Sequence, residues 1–161
     1  MTRYAAPFDR HRGRVKPEWV DYNGHFNMGY YLVAFDIASE ELTDAAGFTA
    51  ATRAATGTTV FVLEAHVIYR REVKPDAEYR VTSQILGLDA KRLHLWQTLY
   101  PLGEDQPAAF SEVMMLCVTR ENPKATPWPA AVYAEFEAMA EAHKALPFPA
   151  EAGRKVGLRR A

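Results

Sequence analysis

Between Tyr30 and Ala38 the chain reads Tyr-Tyr-Leu-Val-Ala-Phe-Asp-Ile-Ala. A run that is apolar nearly all round predicts a helix buried on more than one side. The pattern supports a helix over 28–45. Asn27 is a suitable N-cap, and Gly47 supplies the C-terminal stop. Glu40, Glu41 and Asp44 return the second half of this helix to solvent. A short second helical turn is expected within 48–56, broken by Gly57.

From Thr58 the hydrophobic period changes from helical to two. Strands are predicted over 59–73, 78–88, 92–100 and 108–120, rich in β-branched and aromatic residues. Pro75-Asp76, 88–91 and 101–107 make the turns. A shorter first strand is expected at 11–16, stopped by Pro17, with a loop over 19–26. Short turns between consecutive strands predict an antiparallel meander. One buried helix followed by strands predicts an α+β fold with the sheet wrapped around the helix. After a connector at 122–129 with three prolines, 130–145 has helical spacing, with Val132, Phe136, Met139 and Ala140 on one stripe. The stretch 146–161 reads as a tail that is ordered only against a partner subunit.

The chemistry gathers before the first helix. Asp21, Asn23, His25 and Asn27 fall on alternate positions, and Gly24 among them lets the backbone bend or approach a ligand. A helix starting there would aim its free N–H groups and positive dipole end at this cluster. That arrangement suits polarising a carbonyl or holding an oxyanion. Asp21 is the leading candidate, as nucleophile or general base; its plain alternative is a capping residue. Asn23 would hold water or a carbonyl, or else form an Asx turn. His25 would act as base or donor, or else be a satisfied, half-buried histidine. Asn27 is foremost a helix cap.

Glu64 is the second candidate. It lies inside an apolar strand, on the same face as Val60, Val62, His66 and Ile68, where a carboxylate is costly unless paired or functional. Its plain alternative is an ion pair with Arg70, Arg71 or a residue across a dimer. Cys117, the one cysteine, has no partner nearby in sequence and reads as a small core residue. His11, His66, His94 and His143 lack metal-ligand spacing, and there is no Gly-rich phosphate loop.

The segment Asp21-x-Asn23-Gly24-His25-x-Asn27-x-x-Tyr30 resembles the motif of hotdog-fold thioesterases. It is most similar to the branch holding plant acyl-ACP thioesterases and the 4-hydroxybenzoyl-CoA thioesterase group, over about 10–121. The resemblance implies a hotdog fold and hydrolysis of an acyl thioester. Catalytic roles would fall on Asp21, Asn23 and His25, and the plant enzymes' functional Glu early in the next strand would fall on Glu64. Met28 stands where many members carry a second Asn, so no side-chain amide acts there. The implied donors are the backbone N–H groups near Met28 and Gly29. The implied assembly is a homodimer or homotetramer with its site at the interface, and no metal or redox cofactor beyond the CoA of the substrate. The stretches 21–25 and 64–73 also resemble the thioesterases linked to carnitine and betaine breakdown. This implies a small trimethylammonium acyl-CoA such as betainyl-CoA, with Trp19, Tyr22 and Tyr30 lining the site as cation–π partners. A generalist short- or medium-chain acyl-CoA or acyl-ACP thioesterase, a hotdog dehydratase or hydratase, and a non-catalytic acyl-thioester binding module are the alternatives. Hydration of crotonyl-CoA against release of free thiol separates the first two classes.

Composition narrows this further. At 161 residues the chain predicts a single domain, 1–161, with a sizeable core. The net charge of -1 and the lack of a basic block give no ground for binding nucleic acid or a membrane surface. The first ten residues lack a signal peptide's apolar core and no run is long enough to span a bilayer, so a cytoplasmic location is expected.

Overall fold

The computed structural model describes residues 3–158. Its strands are β1 (Phe8–Arg14), β2 (Thr58–Tyr69), β3 (Glu78–Leu88), β4 (Arg92–Pro101) and β5 (Ala109–Thr119). Its helices are α1 (Met28–Ala45), α2 (Ala50–Thr56) and α3 (Ala130–His143), with a short 3-10 turn at Pro17–Trp19. All five strands form one antiparallel sheet in the order β1-β3-β4-β5-β2. Among the described residues, no helix is long and apolar enough to cross a membrane.

α1 has the expected limits because both signals are local. The Asn27 side chain accepts from the Gly29 N–H at 2.9 Å, and Gly47 turns the chain away at φ 83°. The helix lies in the concave face of the sheet. Ala34, Phe35, Ala38 and Leu42 are buried there. Phe35 packs in one cluster with Tyr79, Val81 and Leu99. Leu42 packs in another with Phe48, Leu95, Met115 and Phe136. Each such side chain contributes about 1.5–3 kcal/mol by leaving water.

The expected meander holds for β3, β4 and β5 only. β2 pairs with β5 at the far edge of the sheet and not with β3. The connector after β2 is committed elsewhere: the N–H groups of Arg70 and Arg71 donate to Ala108 O, Val73 O accepts from Phe26, and Ala77 O accepts from Val15. These bonds hold the end of β2 on β5 while the chain crosses to the other side of α1. β2 itself ends at Tyr69, four residues short of the expected limit. β1 runs over Phe8–Arg14 and not 11–16.

α3 closes one end of the core through Val132, Phe136, Met139, Ala142 and His143; Ala140 is only partly buried. The tail also departs from expectation. It lies on its own sheet, across the convex face away from α1. Gln84 Nε2 donates to Pro147 O at 3.3 Å, Arg70 pairs with Glu151, and Gly153 N–H donates to Glu112 at 2.7 Å. Residues 159–161 of the expected tail lie outside the described residues.

His143 ties this end together. Its Nδ1 accepts from Ile85 N–H at 2.9 Å, which requires the neutral ring. Burial pushes its pKa below the ordinary histidine value. The unfolded chain takes up a proton near pH 6.5, while the folded chain does so only at lower pH. This contribution is therefore fully present above about pH 6.5 and is lost as pH falls toward the folded pKa. The urea midpoint is expected to fall between pH 7.5 and 5.5, and less steeply in His143→Phe. That variant is also expected to be less stable at pH 7.5, by about 1–3 kcal/mol for the orphaned Ile85 N–H.

Candidate active site

The loop before α1 is closed by its own backbone. Asp21 N–H donates to His25 O, and Gly24 N–H donates to Asp21 O, each at 2.9 Å. Gly24 adopts φ 75°, a region that favours glycine. Within this turn the Asp21 Oδ1 accepts from the N–H groups of Asn23 at 2.9 Å and His25 at 3.3 Å. The carboxylate is thus oriented by two backbone donors, and its Oδ2 makes no hydrogen bond among the described residues. The Asx turn and the chemical role are compatible in one side chain. Asn23 is exposed.

His25 is positioned by a residue that the sequence did not single out. Its Nε2 lies 2.8 Å from Glu72 Oε2. With the proton on Nε2, this nitrogen donates to Glu72, and Lys74 donates to the other carboxylate oxygen at 2.6 Å. The Lys74 ammonium, and then the histidine, hold the Glu72 carboxyl below the usual range. Lys74 Nζ also lies 3.3 Å from Nε2, a contact that the protonated Nε2 makes electrostatic only. Glu72 and His25 are far apart in sequence, and only the fold of the connector brings them together.

The start of α1 offers less than expected. Asn27 occupies the Gly29 N–H, so Gly29 is capped and not free to donate. The Met28 N–H has no partner among the described residues. Tyr69 on β2 donates to Met28 O at 2.9 Å, and Tyr31 stacks against Phe26 with ring centroids 4.1 Å apart. Burial, and then the Tyr69 hydroxyl, push the Tyr31 pKa up to about 12. Tyr31 is therefore a neutral donor at any working pH.

The aromatic residues expected to line the site do not form an open box. Trp19 is buried and stacks on both Phe26 and Tyr30, with Lys16 Nζ 4.8 Å from its ring centroid. It is packing beneath the loop. Tyr22 is 97% exposed and points into water, while Tyr30 keeps one edge at the surface.

Glu64 requires a correction. The register of β2 shifts between Val62 and Glu64, a bulge that adds Leu63 to one strand. Val60 and Val62 stay opposite Cys117 and Met115 on the face toward α1, whereas Glu64 and His66 stand opposite Met114 and Glu112 on the convex face. Glu64 is exposed there, so its carboxylate stays hydrated, and the structure does not bring it to the Asp21 loop. The expected ion pairs with Arg70 and Arg71 are also absent, since these pair with Glu151 and Glu104. Cys117 is buried in the core, and burial raises its thiol pKa to about 11, which leaves no thiolate for a nucleophile. No cluster of metal-binding side chains occurs among the described residues.

From Gly29 a groove runs between α1 and β2. It encloses about 290 Å³ and is walled by Leu32, Val33, Val62, Ala65 and Val113, with Asp36, Ser39 and Gln97 as its polar members. The groove is able to hold an acyl group, and its Gly29 end lies a few residues along the chain from the oriented Asp21 carboxylate.

Comparison with known proteins gives the family. Residues 15–136 match the thioesterase-like superfamily. A betainyl-CoA thioesterase of Pseudomonas aeruginosa is 42% identical, over 98% of this chain and 95% of that protein. An L-carnitine dehydrogenase/betainyl-CoA thioesterase of Rhizobium meliloti is 35% identical over 91% of this chain, which spans 29% of that longer protein. A thioesterase candidate from Pseudomonas putida KT2440 superposes with a TM-score of 0.84 at 34% identity, covering 97% of this chain and 99% of that one. A Staphylococcus aureus protein solved with CoA shares the fold, with a TM-score of 0.88 at 24% identity over 96% and 98% of the two chains. The chain belongs to the thioesterase-like superfamily and is a hotdog-fold thioester hydrolase.

Proposed function

We propose that this protein hydrolyses a small acyl-CoA bearing a quaternary ammonium group, betainyl-CoA foremost, as a cytoplasmic homo-oligomer. The observation that carries the reading is the Asp21 carboxylate, oriented by two backbone N–H groups beside the start of α1, in a chain 42% identical to a betainyl-CoA thioesterase. Asp21 acts through Oδ2, as nucleophile on the thioester carbon or as base on a water. Asn23 positions water, while His25, held by Glu72 through Nε2–H, accepts from that water at Nδ1. The Met28 N–H and the positive end of α1 favour the charge that develops on the carbonyl oxygen. The C–S bond breaks, and CoA leaves as a thiolate that is then protonated. No metal or redox group is required by this route.

The experiment is thiol release from betainyl-CoA compared with isovaleryl-CoA, a neutral ester of similar size. Faster turnover of betainyl-CoA is expected. Equal or faster hydrolysis of the neutral ester would replace this reading with a generalist short- to medium-chain thioesterase.

An unpaired strand edge supports the oligomer. β2 is an edge strand, and Phe61, Val62, Leu63 and Tyr69 are exposed along it beside exposed Leu32 and Val33 of α1. A long apolar edge of this kind is a template for strand pairing. A second copy placed edge to edge would extend the sheet and cover the groove. Sedimentation at micromolar concentration is expected to give a species larger than 18.1 kDa, and a monomer alone would refute it.

A further inference from the structure

We infer that the groove between α1 and β2 receives the acyl group, and that Asp36 and the side-chain carbonyl of Gln97 recognise its quaternary ammonium end. The inference rests on the cationic substrate proposed above and assigns specificity to two residues outside the Asp21 loop.

Gln97 is fully buried. Its Nε2 donates to Phe35 O at 2.9 Å, with Ser39 and Ser83 hydroxyls at 3.2 and 3.3 Å. Phe35 O can only accept, so the amide orientation is set. Its Oε1 is left buried with no hydrogen-bond partner, although Gln97 lines the groove. A buried acceptor left open in this way is uncommon and is stabilised when a ligand brings positive charge to it. Asp36 lines the same groove. It is exposed at the rim and makes no ion pair among the described residues.

The spacing suits a short acyl chain. Two helical turns separate Gly29 from Asp36, about 10 Å along the axis, and side chains on a helix lean back toward its N-terminus. A thioester carbonyl held at the start of α1 would direct a short acyl chain along the groove, toward this carboxylate. A trimethylammonium group has no N–H to donate. Its charge is spread over methyl groups, which pack on Leu32, Val33 and Val62 while facing carboxylate and carbonyl oxygens. The competing aromatic site is filled, because Trp19 is covered by Phe26, Tyr30 and Lys16. The charge is therefore read by the groove oxygens and not by an aromatic box.

The test uses 3,3-dimethylbutanoyl-CoA, the neutral isostere of betainyl-CoA, and the ratio of kcat/KM for the two esters. The full-length protein is compared with Asp36→Asn, an isosteric change at an exposed position, and with Gln97→Met, which keeps the volume. The wild-type ratio is expected to favour betainyl-CoA. Asp36→Asn is expected to cut that ratio roughly tenfold or more through the lost charge, and Gln97→Met to cut it in the same direction. If the wild type prefers betainyl-CoA but neither variant moves the ratio, the groove assignment is wrong while the cationic substrate stands. If the wild type shows no preference, the cationic substrate itself fails, and this inference falls with it.

Discussion

Asp21→Asn is expected to lose at least about a hundredfold in turnover, the usual consequence of removing a general base or nucleophile, while the fold persists. The persistence follows from the geometry. The Asp21 side chain is needed in the loop as an acceptor for the N–H groups of Asn23 and His25. The Asn amide keeps one such acceptor, so the turn can still close. Its backbone bonds, Asp21 to His25 O and Gly24 to Asp21 O, are untouched. What disappears is the negative charge that attacks the thioester carbon or takes a proton from water. Circular dichroism and urea midpoint close to wild type, together with thiol release below about 1%, would fit this account. Near-normal turnover in the folded variant would remove Asp21 from the mechanism.

Phe35→Ala is expected to cost about 3–5 kcal/mol, read as a lower urea midpoint. Phe35 has 0% exposure in the middle of α1. It anchors the helix on Val81 and Leu99 of the sheet, and it also lines the groove beside Gln97. Few other side chains can fill the space, since the neighbouring helix positions facing the sheet are Ala34 and Ala38. The backbone carbonyl of Phe35 accepts from both Gln97 and Ser39, and any settling of the helix into the cavity strains those bonds. A loss below about 1 kcal/mol would mean that the core refills the site.

α1 and β3 were legible in the sequence because their signals are local: Asn27 and Gly47 mark the ends of one, turn residues and clean alternation the other. The Asp21 motif was legible for the same reason, since four polar side chains and a glycine lie within seven positions. The placement of β2 was not. Its partners on β5 lie far along the chain, and turn length alone favoured β3. The bulge at Leu63 was hidden as well. Phe61, Val62, Ala65 and Val67 around it fit both registers, so only pairing with β5 reveals that Glu64 changes face. Glu72 was hidden by separation, since nothing near it in sequence signals His25. Trp19 misled for another reason: proximity to the motif says nothing about which ring faces are already covered.

The tail across the convex face bears on stoichiometry. Two bare sheets can stack back to back and turn pairs into larger assemblies. Here residues 147–153 lie across that surface, tied to Gln84, Arg70 and Glu112. Arg154 and Lys155 then stand exposed beside the tie to Glu112. Copies approaching on this side meet an irregular strap, and the flat face needed for stacking is gone. Of the two edge strands, β1 and β2, β2 carries the exposed apolar side chains, and a two-fold contact of that edge with itself uses it up in both copies. Back-to-back stacking is thereby closed to the homo-oligomer proposed above, which is left with its strand edges.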